Sequence, residues 1–146
     1  MIRLSTKGRY GTRLMINLAH HYTNNNESII LKQVSEEEDI SIRYLEQIII
    51  PLKIARLVKS IRGAGGGYIL ARPPADIKLR EILSSLEGSC CLVECVDDDD
   101  YCNKIKTCAA YDIWRNASQL LKDYFENTTL QDLLDTSKKK NPSKKK

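Results

Sequence analysis

Four glycines fall within Arg62-Gly63-Ala64-Gly65-Gly66-Gly67, between two short apolar segments, Val58-Lys59-Ser60-Ile61 and Tyr68-Ile69-Leu70. Glycine reaches positive φ without penalty and lets backbone approach other groups closely. The stretch therefore reads as a β-hairpin with a glycine-rich tip. Its spacing matches neither G-x-G-x-x-G nor G-x-x-x-x-G-K-[ST], which excludes the usual nucleotide cradles.

The residues before the hairpin follow helical periods. Tyr10, Leu14 and Leu18 recur every four residues, with Met15, Ala19 and Tyr22 beside them. That stripe predicts an amphipathic helix starting near Ser5 or Thr6. His20 and His21 fall near its expected end, where they suit the negative helix terminus better than ligation. Asn24 to Asn26 read as a loop, Leu31 to Glu38 as a short second helix with Leu31 and Val34 inward, and Asp39-Ile40 as a turn. Ser41 is an N-cap residue for a third helix. On that helix Tyr44, Leu45, Ile48, Ile49 and Leu52 form the buried side, leaving Ile42, Arg43, Glu46, Gln47 and Lys53 for other faces. Pro51 is expected to bend or end it. Two helices, a capped third and a hairpin make a winged helix-turn-helix, mainly α with a small β-hairpin wing. In that layout the third helix enters the DNA major groove.

Charge supports a polyanionic partner for the front half. Residues 1–72 carry eleven basic and six acidic side chains, and residues 73–135 carry six and thirteen. Six lysines follow Asp135 without an acid. A basic front and acidic back place nucleic acid at the front. No apolar run is long enough to span a membrane and no signal peptide opens the chain, so the expected location is the cytoplasm, without membrane association.

Pro73-Pro74 breaks the chain. Asp76 is expected to start a helix carrying Ile77, Leu79, Ile82, Leu83 and Leu86, stopped by Gly88. Later, Ile113, Trp114, Ala117, Leu120, Leu121, Tyr124 and Phe125 repeat at three- and four-residue spacing over roughly Asp112 to Glu126. Their stripe is too wide for a surface helix of a small domain and reads as a dimerisation helix. Thr129-x-x-Asp132 opens a last short helix ending near Leu134. The expected organisation is a DNA-binding domain over 1–74, a cysteine loop and dimerisation helix over 75–135, and a disordered lysine-rich tail over 136–146.

All five cysteines lie in the nineteen residues Cys90 to Cys108. Crowding in a polar, acidic loop points to a soft-metal or redox centre more than to buried filler. The odd count, in a reducing compartment, argues against a disulfide framework. Asp97 to Asp100 read as a solvated acidic turn. Cys90 and Cys91 read as filler or a spare ligand, since neighbours seldom form a relaxed disulfide. Zinc sites usually show C-x₂₋₄-C pairs, which Cys95, Cys102 and Cys108 lack.

The segments LSTKGRYGTRLM, ISIRYLEQIIIPLK, VKSIRGAGGGYIL and NTTLQDLL resemble the Rrf-two family of bacterial winged-helix regulators, over residues 2–135. The three-cysteine loop before the long helix is similar to its iron–sulfur branch; the front half is also similar to its cysteine-metabolism regulator, which carries no cluster. The resemblance implies a homodimer on a near-palindromic double-stranded operator, controlled by an iron–sulfur cluster, 2Fe–2S in preference to 4Fe–4S. It implies metal ligands at Cys95, Cys102 and Cys108. One branch uses histidine three residues after the third cysteine, where Tyr111 stands here. Another uses an aspartate near the start of the first helix, where this chain has Lys7-Gly8-Arg9. The fourth ligand is therefore sought at Cys91 or Tyr111. By position, Ser41, Arg43, Tyr44, Glu46 and Gln47 would face DNA from the recognition helix. Arg62, Gly65, Gly66 and Gly67 would contact it from the wing, and Lys7 and Arg9 would lie near phosphates. The competing readings are a repressor of the same fold under thiol or protein-partner control, and a zinc-stabilised DNA-binding protein. No catalytic constellation can be placed, so an enzyme is not expected.

Overall fold

A computed structural model describes residues 3–144. Helix α1 spans Thr6–Asn25, and the Ser5 hydroxyl caps it by accepting from the Gly8 N–H at 3.1 Å. Leu14, Met15, Leu18 and Ala19 are buried, which is the expected stripe. The helix runs further than read: Asn24 and Asn25 are helical, and only Asn26, at φ 54°, turns left-handed. His20 and His21 are thereby held inside the helix rather than at its terminus.

Helix α2 spans Leu31–Glu38 and ends at left-handed Asp39. Helix α3 spans Ile42–Ile54; Ser41 accepts from the Tyr44 N–H at 3.2 Å. Of the two expected effects of Pro51, ending the helix is not the one seen, since α3 runs on to Ile54. Leu52, fully buried one residue later, anchors the following turn against the core. Strands β1 (Val58–Ile61) and β2 (Gly67–Leu70) pair antiparallel, with Val58 opposite Leu70 and Ile61 opposite Gly67. A bridge between Ile29 and Tyr68 ties the hairpin to the segment before α2. This bridge explains Gly67, because a Cβ there would sit 2.5 Å from the Ile29 carbonyl oxygen.

Beyond the wing, the expected single helix from Asp76 divides. Pro74–Asp76 is a 3₁₀ turn, and α4 starts only at Leu79 and runs to Glu87. Arg72 holds this junction, donating to the Asp76 carbonyl at 2.9 Å and to Glu81 at 2.7 Å. A short α5 (Glu94–Asp97) sits inside the cysteine loop, followed by α6 (Ala109–Asn127) and α7 (Leu130–Lys140). Thr129 and Asp132 form a reciprocal capping box at the start of α7. The expected stop near Leu134 and the structureless tail from 136 are both corrected: α7 continues through Ser137 to Lys140. Residues 145 and 146 of that tail lie outside the described residues.

One core joins these elements. Leu14 and Leu18 from α1, Leu45, Ile48 and Leu52 from α3, Ile82 and Leu86 from α4, and Leu130 and Leu134 from α7 belong to a single buried cluster. Gly11 lets α1 approach this layer, since a Cβ there would overlap the Leu86 side chain.

Candidate functional site: a nucleic-acid interface and a cysteine loop

Helix α3 has two faces. Leu45, Ile48, Ile49 and Leu52 are buried, while Ser41, Ile42, Arg43, Glu46, Gln47 and Ile50 stand in solvent. Residues 42, 46 and 50 are four apart and share a helical stripe. Exposed isoleucines at 42 and 50 are unusual on the free side of a helix, and Ile50 was not singled out in the sequence. The i, i+4 spacing from Glu46 was the available signal. Tyr44 differs from its neighbours: it is half-buried, and its ring meets Tyr10 edge-on at 5.8 Å. The Arg13 and Arg9 guanidinium groups stand 5.4 and 5.9 Å from the Tyr10 ring.

At the wing, Arg62, Gly63, Ala64 and Gly65 are exposed. Gly65 takes φ 74°, and its carbonyl accepts from the Ser28 hydroxyl at 2.6 Å, which steadies the tip. Gly66 and Gly67 are half-buried and serve the hairpin itself. Lys53, near the end of α3, stands 5.8 Å from the Tyr68 ring and links recognition helix to wing. Lys7 and Arg9 occupy the first turn of α1, with Arg9 donating to Thr6 at 3.2 Å.

The base of α2 is fixed electrostatically. Buried Asn17 donates to Glu37 at 2.7 Å and to Glu38 at 3.1 Å. Burial works to raise the Glu37 pKa, but hydrogen bonds from Asn17, His21 and Gln33 outweigh it and leave the carboxyl below its ordinary value. His20 meets the Ser137 hydroxyl at 3.0 Å, joining α1 to α7.

The cysteine loop has little of this fixation. Cys90, Cys91, Cys95, Cys102 and Cys108 are free thiols, all half-buried. Cys95 lies in α5, Cys102 in the irregular segment after it, and Cys108 at the cap position before α6. Among the described residues, no three His, Cys, Asp or Glu side chains gather into a group able to hold a metal ion. The expected ligands Cys95, Cys102 and Cys108 are thus carried on one loop but not brought together; as placed, they do not fit a cluster. Tyr111 follows Cys108 by one turn, its N–H donating to the Cys108 carbonyl at 3.2 Å. Cys91 instead shares a cavity wall with Cys90.

A capped recognition helix, an adjoining glycine-tipped wing and a helical scaffold define a winged-helix DNA-binding transcription regulator. The chain belongs to the Rrf2 family, whose model, described as an iron-dependent transcriptional regulator, matches residues 4–136. It is 38% identical over 132 residues to the HTH-type transcriptional regulator CymR of Bacillus subtilis, covering 90% of this chain and 89% of CymR. It is 45% identical over 86 residues to the IscR regulator of Cereibacter sphaeroides, covering 59% of this chain and 56% of that one. The solved structure of T. potens IscR superposes with a TM-score of 0.77 at 37% identity, over 93% of this chain and 88% of that chain. The global cysteine regulator CymR of B. subtilis superposes at 0.76 and 37%, over 93% and 98%. These relatives are regulators, which places the chain among DNA-binding proteins rather than enzymes. No helix among the described residues is long and apolar enough to cross a membrane.

Proposed function

We propose that the chain works as a homodimer on a near-palindromic operator, with the Cys90–Cys108 loop receiving the signal. The observation that carries DNA reading is the bare face of α3. Arg43, Glu46 and Gln47 stand exposed on a helix whose opposite face is locked in the core. Glu46 has acceptor oxygens for a cytosine amino group, Gln47 has paired groups for adenine, and apolar Ile42 and Ile50 suit thymine methyls. Ser41 and Tyr44 lie in the first turn. Tyr44 keeps its ring against Tyr10 and acts by holding α3 to α1. Lys7 and Arg9 at α1, and Arg62 and Gly65 at the wing tip, meet the backbone and set register, while Gly66 and Gly67 shape the hairpin. Dimerisation falls to α6, whose Ile113, Leu120 and Tyr124 are 61%, 72% and 68% exposed.

The signal read by the loop is an iron–sulfur cluster held by Cys95, Cys102 and Cys108, with Tyr111 in preference to Cys91 as fourth ligand. Thiolates are the usual donors to such clusters, and relatives named IscR support the branch. The reading requires the loop to rearrange from the placement described above. The separation of the thiols favours a second reading: thiol or protein-partner control without metal, on the plan of a CymR-like regulator. Purification without oxygen separates them. A brown protein with visible charge-transfer bands, lost on Cys95→Ala, Cys102→Ala or Cys108→Ala, supports the cluster. Retention of those bands in Tyr111→Phe and their loss in Cys91→Ala would reassign the fourth ligand. A colourless metal-free protein supports the second reading, and stoichiometric zinc a zinc-stabilised one.

A further inference from the structure

Cys90 and Cys91 take no part in the proposed ligand set, yet both line one cavity of about 290 Å³. Leu4, Leu83, Leu92, Leu121 and Phe125 supply its apolar wall, and Arg3, Glu87 and Ser89 its polar one. Two hydrogen bonds hold the backbone here. The Cys91 N–H donates to Ser89 at 3.1 Å, and the Leu92 N–H donates to the buried Ser118 hydroxyl at 3.0 Å. Adjacent cysteines are poorly placed to bridge each other, so the pair stays available as thiols. The volume suits a small molecule, and the walls suit an apolar one.

The cavity also touches the start of α1. Leu4 precedes Ser5, the cap of α1, and the Ser5 hydroxyl donates to Glu87, itself a wall residue. A Cβ on Gly8 would overlap the Glu87 carboxyl, so that carboxyl lies directly on the first turn bearing Lys7 and Arg9.

We propose that this cavity is a second sensing site, which captures small apolar electrophiles of the α,β-unsaturated carbonyl class on Cys90 or Cys91. The sulfur lone pair forms an S–C bond at the β-carbon. The C=C π pair shifts to join the α-carbon and the carbonyl carbon, the C=O π pair moves onto oxygen, and the resulting enolate takes up at the α-carbon the proton that the thiol gave up. No oxidant or reductant is consumed. The adduct fills the cavity, displaces Leu4 and Glu87, and shifts the start of α1.

The test uses the full chain, treated with chelator to remove metal, and cyclohexenone below one equivalent. Peptide mass spectrometry should place the adduct on Cys90 or Cys91 about ten-fold more often than on Cys95, Cys102 or Cys108, with the preference lost in denaturant, because site-selective reactivity follows the folded environment. Leu121→Trp, which fills the cavity without touching a thiol, should slow addition at Cys90 and Cys91 alone. The adduct should lower affinity for a duplex selected from a random pool by about ten-fold, a usual coupling magnitude, and Cys90→Ser with Cys91→Ser together should abolish that response. Even labelling of the five cysteines, or equal preference in Leu121→Trp, overturns the site. Selective labelling with unchanged DNA affinity overturns its role as a sensor.

Discussion

The winged-helix portion and the stretch from Glu87 to Thr129 are built to different standards. Helices α1 and α3 each put several side chains into the shared cluster, and the wing strands add Val58 and Leu70. Between Leu86 and Leu130 no described hydrophobic side chain is buried, although the stretch contains the nineteen-residue α6. Ser118 is the buried residue of α6, and it serves as a hydrogen-bond acceptor for the loop. A helix about 28 Å long that leaves Ile113, Trp114, Leu120 and Tyr124 bare is not completed by its own chain. The winged-helix portion closes a shared core with α4 and α7. The stretch between them leaves α6 and the cysteine loop open, the two surfaces that the proposed function assigns to a second copy and to a signal.

The largest effect should come from the closed half. Leu45→Ala removes a fully buried side chain and should cost about 2–5 kcal/mol in urea unfolding. A loss under about 1 kcal/mol would mean the α3 core is less closed than described. In the open half, Leu120→Asp with Tyr124→Asp should instead leave α1–α3 folded and turn a dimer into a monomer by sedimentation. Operator affinity should fall at least about a hundred-fold, because two half-sites are no longer bound together. A dimer that survives both changes would remove α6 from the interface.

Smaller effects sharpen the contrast within α3. Glu46→Ala should leave stability near wild type and relax preference at one base pair per half-site by about 1–3 kcal/mol. Unchanged selectivity on a panel of mutated operators would take Glu46 out of base reading. The smallest concerns the α1–α2 junction. Glu37 has its carboxyl held below the ordinary value in the fold. Its contribution is therefore present above the unfolded pKa and is lost as pH falls through the depressed folded one. Glu37→Gln should flatten the acid limb of the stability profile and shift the neutral-pH midpoint only slightly, since the Glu37 side chain is 32% exposed and solvent screens its charge. An acid limb as steep as wild type would show that the charge is not what binds α2 to α1.

Local signals made the front half legible. Ser5, Ser41 and Thr129 announce their helices because a side-chain oxygen satisfying an open N–H is decided within a few residues. The alternation of Leu14, Leu18, Leu45, Ile48 and Leu52 marks the buried faces by periodicity alone. The errors fell where distant packing overrides local preference. Pro51 is expected to bend or end its helix, and with Leu52 and Leu57 in the core the helix does not end there. Lysines after Asp135 suggest disorder, yet α7 extends over Lys138 to Lys140, and the His20–Ser137 contact reaches across 117 residues.

From the order of residues alone followed a mainly helical chain with one hairpin, a capped recognition helix, an unpaired apolar helix and a thiol-rich loop, because each depends on neighbours within a few positions. The tertiary structure alone decided three other matters. Tyr10 is the partner of Tyr44, whose place on the buried side periodicity already marks. Cys90 and Cys91 enter an apolar cavity while Cys95, Cys102 and Cys108 remain apart. Glu87 lies on the first turn of α1 through Ser5. Each depends on how far apart in space residues distant in sequence come to rest, and spacing along the chain carries no measure of that.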